Sequence, residues 1–92
     1  MYMGVYHFTG DTAQLLEGHQ RMLELLPPGV LKIHICLATE SGISVYDTCP
    51  DREVFDRFSQ GSGFAELVAA AGLPAPTVVP LGTVDSYEVH TT

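Results

Sequence analysis

The chain has no tryptophan, two cysteines, and only four basic residues (Arg21, Lys32, Arg52 and Arg57) in a length of 92. Each shortage excludes something. Against eleven acidic residues the four cations leave a net charge of −7, so no basic stripe exists to displace counterions from a nucleic-acid backbone. An anionic membrane surface would repel the chain for the same reason. No apolar run approaches the roughly 18 residues of a membrane-spanning helix. The opening MYMGVYHFTG lacks the basic start and small-residue cleavage site of a signal peptide, which makes a cytoplasmic location the expectation. Cys36 and Cys49 are then expected as free thiols.

What the chain does have is apolar surface. Hydrophobic types make up 46% of it and charged types only 16%. Ninety-two residues form one domain, 1–92, and a chain of that size buries only about 60–65% of its unfolded surface. Its core is marginal, and association with a second copy is a common remedy. A homodimer is therefore expected, with apolar surface hidden between copies.

Residues 2–9, YMGVYHFT, read as a first strand. Gly10-Asp11-Thr12 supplies a turn and a helix cap. Leu15, Leu16, His19, Met22, Leu23 and Leu26 then recur at helical spacing, so 12–26 is predicted as an amphipathic helix. Pro27-Pro28-Gly29 ends it. The segment 30–39, VLKIHICLAT, alternates between two faces. Leu31, Ile33, Ile35 and Leu37 form a uniformly apolar face, expected to pack on the helices, and Lys32, His34, Cys36 and Ala38 form the other. After the turn Glu40-Ser41-Gly42, residues 43–49 return as a third strand.

Pro50-Asp51 opens a second helix, with Val54, Phe55 and Phe58 inward. It is interrupted at Ser59-Gln60-Gly61-Ser62-Gly63, because each glycine costs a helix about 1 kcal/mol relative to alanine. Helical spacing resumes with Phe64, Leu67, Val68 and Ala71 and stops at Gly72-Leu73-Pro74. Residues 77–90 are predicted as a long last strand, with Pro80 placing that stretch at a sheet edge or bulge. The order is β-α-β-β-α-β, an α+β ferredoxin-like arrangement: a four-stranded antiparallel sheet with both helices on one face. The other face is left for a partner.

These residues resemble the dimeric α+β barrel superfamily, which includes antibiotic-biosynthesis monooxygenases, polyketide cyclases, muconolactone isomerases and stress-responsive barrel proteins. The resemblance is closest to short bacterial members and covers nearly the whole chain. It rests on Val5-Tyr6-His7-Phe8 with Gly10-Asp11-Thr12, Leu31-Lys32-Ile33-His34, and Glu40-Ser41-Gly42 leading into Val45-Tyr46-Asp47. Asp51 to Phe58 and Ala69-Ala70-Ala71-Gly72-Leu73-Pro74 complete it. It implies two sheets meeting across a two-fold axis and a pocket between sheet and helices in each subunit. The chain departs from the pattern at Cys49, where relatives often carry tryptophan. It also has Ser59 to Gly63 where the cyclases have a His-rich segment.

His34 and Asp47 are the candidate catalytic residues. A two- or four-residue hairpin loop sets them opposite each other, and a three-residue loop sets His34 against Thr48. The first register is favoured because it lets Tyr46 and Thr48 occupy the helix side. A carboxylate beside an imidazole fixes its tautomer and raises its basicity, which suits a general base. The structural alternative is a His–Asp hydrogen bond at the dimer seam. Tyr6, His7, Cys36, Val45 and Ser62 are candidate substrate-binding residues. Tyr6 and His7 are adjacent on one strand, so only one can reach a given cavity.

The four histidines fall one per element, without HxxxH spacing or a nearby cysteine pair, so no metal is assigned. Haem occurs in parts of the superfamily, and His19 is a conceivable ligand there or simply a helix-flank histidine. No dinucleotide fingerprint or P-loop is present, and no cofactor is named. Two functions are expected as alternatives. One is a cofactor-independent oxygenase, cyclase or isomerase acting on a small apolar or aromatic molecule. The other is a non-catalytic ligand-binding or stress-associated homodimer.

Overall fold

The computed structural model describes residues 1–27 and 32–91. The elements run β1 (Tyr2–Thr9), α1 (Thr12–Leu25), β2 (His34–Thr39), β3 (Gly42–Cys49), α2 (Arg52–Gln60), α3 (Ser62–Ala70) and β4 (Thr77–Thr83). The four strands form one sheet in the order β2-β3-β1-β4, and every pairing is antiparallel. The domain is an α+β fold with its helices packed against that sheet.

Local chemistry sets the helix ends. Asp11 accepts from the Gln14 amide at 3.0 Å and Asp51 from the Val54 amide at 2.9 Å, each satisfying a first-turn donor that the helix itself leaves free. Gly61 ends α2 and begins α3, so the glycine-rich interruption becomes a joint between two nine-residue helices. Arg21 Nε donates to the Ala71 carbonyl at 2.9 Å and ties α1 to the end of α3.

The strand registers decide which residues meet the helices. Tyr6 opposes Val45, Gly4 opposes Asp47, and His34, Cys36 and Ala38 oppose Asp47, Val45 and Ile43. Tyr2, Tyr6, Phe8, Ile43 and Val45 join Leu15 and Met22 of α1, Phe55 of α2 and Phe64 and Val68 of α3 in one core cluster. Phe55 lies directly on Gly4: a Cβ at that glycine would come within 2.0 Å of the phenylalanine ring. The missing side chain thus lets α2 approach the sheet backbone closely.

This inverts the expected faces of β2. Ile35 and Leu37 are 47% and 46% exposed, on the side away from the helices, while His34 and Cys36 face the helices. Leu31 lies outside the described residues. Tyr46 and Thr48 likewise share the open side, with Asp47 beneath the helices. The expected opposition of His34 and Asp47 is observed, but the reason given for that register was not the operative one. A uniformly apolar alternation marks a face that avoids water. It does not say which of two apolar neighbours, helix or partner, covers it.

The last strand is also shorter than expected. β4 stops at Thr83, and residues 84–91 form no regular element. Pro80 is on an edge strand beside a register shift opposite Met3 and Gly4, where its missing amide N–H costs no ladder bond.

Candidate functional site

Three ionisable side chains form a chain across the helix side of the sheet. β3 presents Asp47, β2 presents His34, and α1 lowers His19 onto them from above. His34 Nδ1 is hydrogen-bonded to Asp47 Oδ1. A carboxylate can only accept, so Nδ1 carries the proton. On the far side of the ring, His34 Nε2 lies 2.7 Å from His19 Nε2. The two rings are within 3° of parallel with centres 5.0 Å apart. That separation equals the nitrogen–nitrogen contact plus a ring radius at each end, so the rings meet edge to edge and do not stack.

A contact between two Nε2 atoms accommodates one proton. One nitrogen donates and the other must be bare, and two N–H groups cannot face each other there. With both rings neutral, His34 holds its proton on Nδ1 for Asp47, and His19 Nε2–H donates to His34 Nε2. His19 is buried, and burial lowers its pKa, with the nearby charge of His34 lowering it further and Asp47 opposing both. The side chains of His34 and Asp47 are only 19% and 13% exposed.

Beside this chain is a cavity of about 140 Å³. Met22 and Leu26 form its α1 wall, Val54 and Phe58 its α2 wall, and Phe64 and Leu67 its α3 wall. Asp47, Thr48, Cys49 and Pro50 close it from the end of β3. Its volume is about that of an apolar cavity that accepts a single benzene ring. Asp47 is its one carboxylate. With Oδ1 held by His34, Oδ2 is the oxygen left to a ligand. Burial pushes the Cys49 thiol up, with Asp47 and Asp51 adding to the rise. The thiol therefore behaves as a weakly polar wall, unready as a nucleophile.

Tyr6 is buried in the core beside Phe64 and does not itself line the cavity. Its ring centre is 5.1 Å from that of Phe64 and 6.0 Å from that of Phe55. Its hydroxyl has no hydrogen-bond partner among the described residues, and an orphaned buried hydroxyl costs about 1–3 kcal/mol. Burial raises the phenol pKa strongly, and Cys49 and then Asp47 raise it further. It is a neutral donor in need of an acceptor.

The other candidate residues fall elsewhere. His7 is on the open face, with Nδ1 2.8 Å from Ser44 Oγ of the paired strand, so of the Tyr6–His7 pair it is Tyr6 that faces the helices, and neither lines the cavity. Val45 is 1% exposed and belongs to the core. Cys36 packs partly buried against that core, its thiol pKa raised by burial and then by Asp47. Both cysteines are free. Ser62 is exposed at the start of α3 and lines none of this cavity.

Sequence reasoning passed over His19 as a partner of His34. Its signal was present, because His19 shares the buried stripe of Leu15 and Met22, and a titratable ring on such a stripe needs a partner. Among the described residues no group of three or more His, Cys, Asp or Glu side chains is arranged to hold a metal ion. Compared with known protein families, curated proteins and solved structures, the chain matches none of them.

Proposed function

We propose that this domain takes a small apolar molecule, about one ring in size, into the cavity under its helices and acts on it by proton transfer. The reading rests on one observation: the one carboxylate lining a largely apolar cavity is backed by two histidines in series, His34 half-buried and His19 buried. In this scheme Asp47 Oδ2 removes a proton from the ligand, and the electron pair of the broken bond stays on the ligand. His34 steadies the carboxylate through Oδ1. The sequence reading had made His34 the base and Asp47 its orienter, but both His34 nitrogens are engaged, so Asp47 is the better contact with substrate. The chemistry fits an isomerase or cyclase, or an oxygenase with dioxygen as co-reactant, none needing a bound cofactor.

The engaged His34 ring also favours a second reading, in which the trio is structural and the domain only stores or carries its ligand. Asp47→Asn distinguishes the two. It keeps the size of the side chain and a carbonyl oxygen for His34 Nδ1–H while removing the base. Under the enzymatic reading, turnover of an accepted substrate falls by at least about 100-fold, within the range general-base catalysis supplies, with binding retained. Unchanged turnover would sink the assignment.

We further infer the ferredoxin-like fold and a homodimer closed as a dimeric α+β barrel. The strand order β2-β3-β1-β4 with helices on one side supports the first. Support for the second comes from the open face. Its residues Met3, Val5, His7, Ile35, Leu37, Ser44, Tyr46, Thr48, Thr77 and Val79 include no carboxylate, lysine or arginine. In a chain of net charge −7, an uncharged apolar face is one that two copies can bring together without opposing like charges.

A further inference from the structure

We propose that the cavity recognises its ligand through a protonated amine, whose ammonium group pairs with Asp47 Oδ2 while the apolar body lies among the walls. The inference rests on the cavity reading above and narrows it to organic cations of about one ring in size. It starts from a charge without a counter-charge. Asp47 is the one carboxylate lining the cavity, and its side chain is only 13% exposed. A buried carboxylate is costly unless a cation accompanies it. The chain has only four lysines and arginines, and none of them lines the cavity. Arg21 is tied to the Ala71 carbonyl, Arg52 pairs with Asp56, and Lys32 and Arg57 are exposed. His34 gives Asp47 a hydrogen bond, which from a neutral ring leaves the charge uncancelled. Burial holds His19 below the ordinary histidine pKa, the charge of His34 lowers it further, and Asp47 opposes both. The missing positive charge is one that a ligand can bring.

The walls favour the same guest. Phe58 and Phe64 stand with ring centres 5.1 Å apart and planes at 53°, and both line the cavity with Met22. Aromatic faces attract a cation through their quadrupoles, more strongly out of water. Cys49, the other ionisable group on the lining, is kept neutral by burial and then by the charges of Asp47 and Asp51, so it adds no second charge. Anions are rejected by the same arrangement. A ligand carboxylate beside Asp47 would set two like charges in an apolar space with no cation between them. The proton-transfer step also balances: one N–H proton passes to Oδ2, and the electron pair of the broken bond stays on nitrogen. Both partners are then neutral.

The test uses four probes of similar size, benzylamine, benzyl alcohol, toluene and benzoate, titrated by calorimetry at neutral pH into the wild-type chain and Asp47→Asn. Wild type should bind benzylamine about ten-fold more tightly than benzyl alcohol, the margin of a charged hydrogen bond over a neutral one. Benzoate should bind weakest. Asp47→Asn should keep its hold on the apolar body, so that toluene is unchanged while benzylamine falls to the level of benzyl alcohol. The preference should survive about 0.5 M sodium chloride, because salt screens the exposed charges of a chain at −7 far more than a buried pair. Benzylamine bound no more tightly than benzyl alcohol overturns the amine inference and leaves the cavity reading in place. So does a preference that persists in Asp47→Asn or vanishes in salt. Failure of all four probes to bind overturns the cavity reading and the amine inference together.

Discussion

The two faces of the sheet are both apolar, yet they are built for different neighbours. The helix-covered face mixes aromatic bulk with ionisable groups: Tyr2, Tyr6, Phe8, Ile43 and Val45 surround Asp47 and His34. The open face is the plainer one, with Ile35, Leu37 and Val79 at least 36% exposed and His7 satisfied by Ser44. On the proposed reading, ionisable groups within a hydrophobic surface mark where chemistry is enclosed, and their absence marks where two surfaces meet.

The sharpest way to break that contrast is to empty the covered side. Phe55 is 1% exposed and touches Tyr2, Tyr6 and Gly4. Phe55→Ala should therefore cost about 3–5 kcal/mol, read from denaturant midpoints. A smaller effect comes from acid. His19 binds its proton less readily folded than unfolded, so its contribution is full above about pH 6.5, the ordinary histidine value. Below that the unfolded chain holds more protons, and stability falls as pH drops through the lower folded value. Unfolding at pH 7.5 and 5.5 should show this slope, and His19→Gln should flatten it. The smallest effect on folding belongs to the open face. Leu37→Lys should change the unfolding free energy of dilute chains by no more than about 0.5 kcal/mol. Light scattering should nonetheless give a dimer mass for the wild-type chain and a monomer mass for Leu37→Lys. Equal loss of folding from Leu37→Lys and Phe55→Ala would erase the distinction between the faces.

Element identity was legible because it is written locally. Aromatic and β-branched content gave β1, alternation gave β2, Asp11 and Asp51 announced helix starts, and the glycines near 61 announced the joint between α2 and α3. The opposition of His34 and Asp47 was reached for a reason that did not hold; what sets it is the two-residue turn at Glu40-Ser41, with Thr39 paired to Gly42. Which side of β2 lies under α1 was not legible, since Ile35 and Leu37 would satisfy a helix or a second chain equally well. Nor was the His19–His34 bond, which joins residues 15 apart through the packing of a helix over an edge strand. The extent of β4 was overread for a related reason. The alternation of Tyr87 and Val89 has strand character, but no strand among the described residues pairs with it. A pattern states a preference, and only a partner turns it into a ladder.

Glycine at position 4 has a reach beyond its own contacts. The height of α2 above the sheet is fixed where Phe55 rests on bare backbone, and the same helix carries Val54 and Phe58 into the wall of the cavity. The bore of the cavity is accordingly gauged by a residue that lines none of it. The room under the helices can thus be retuned from the sheet floor, without altering a single residue that borders it.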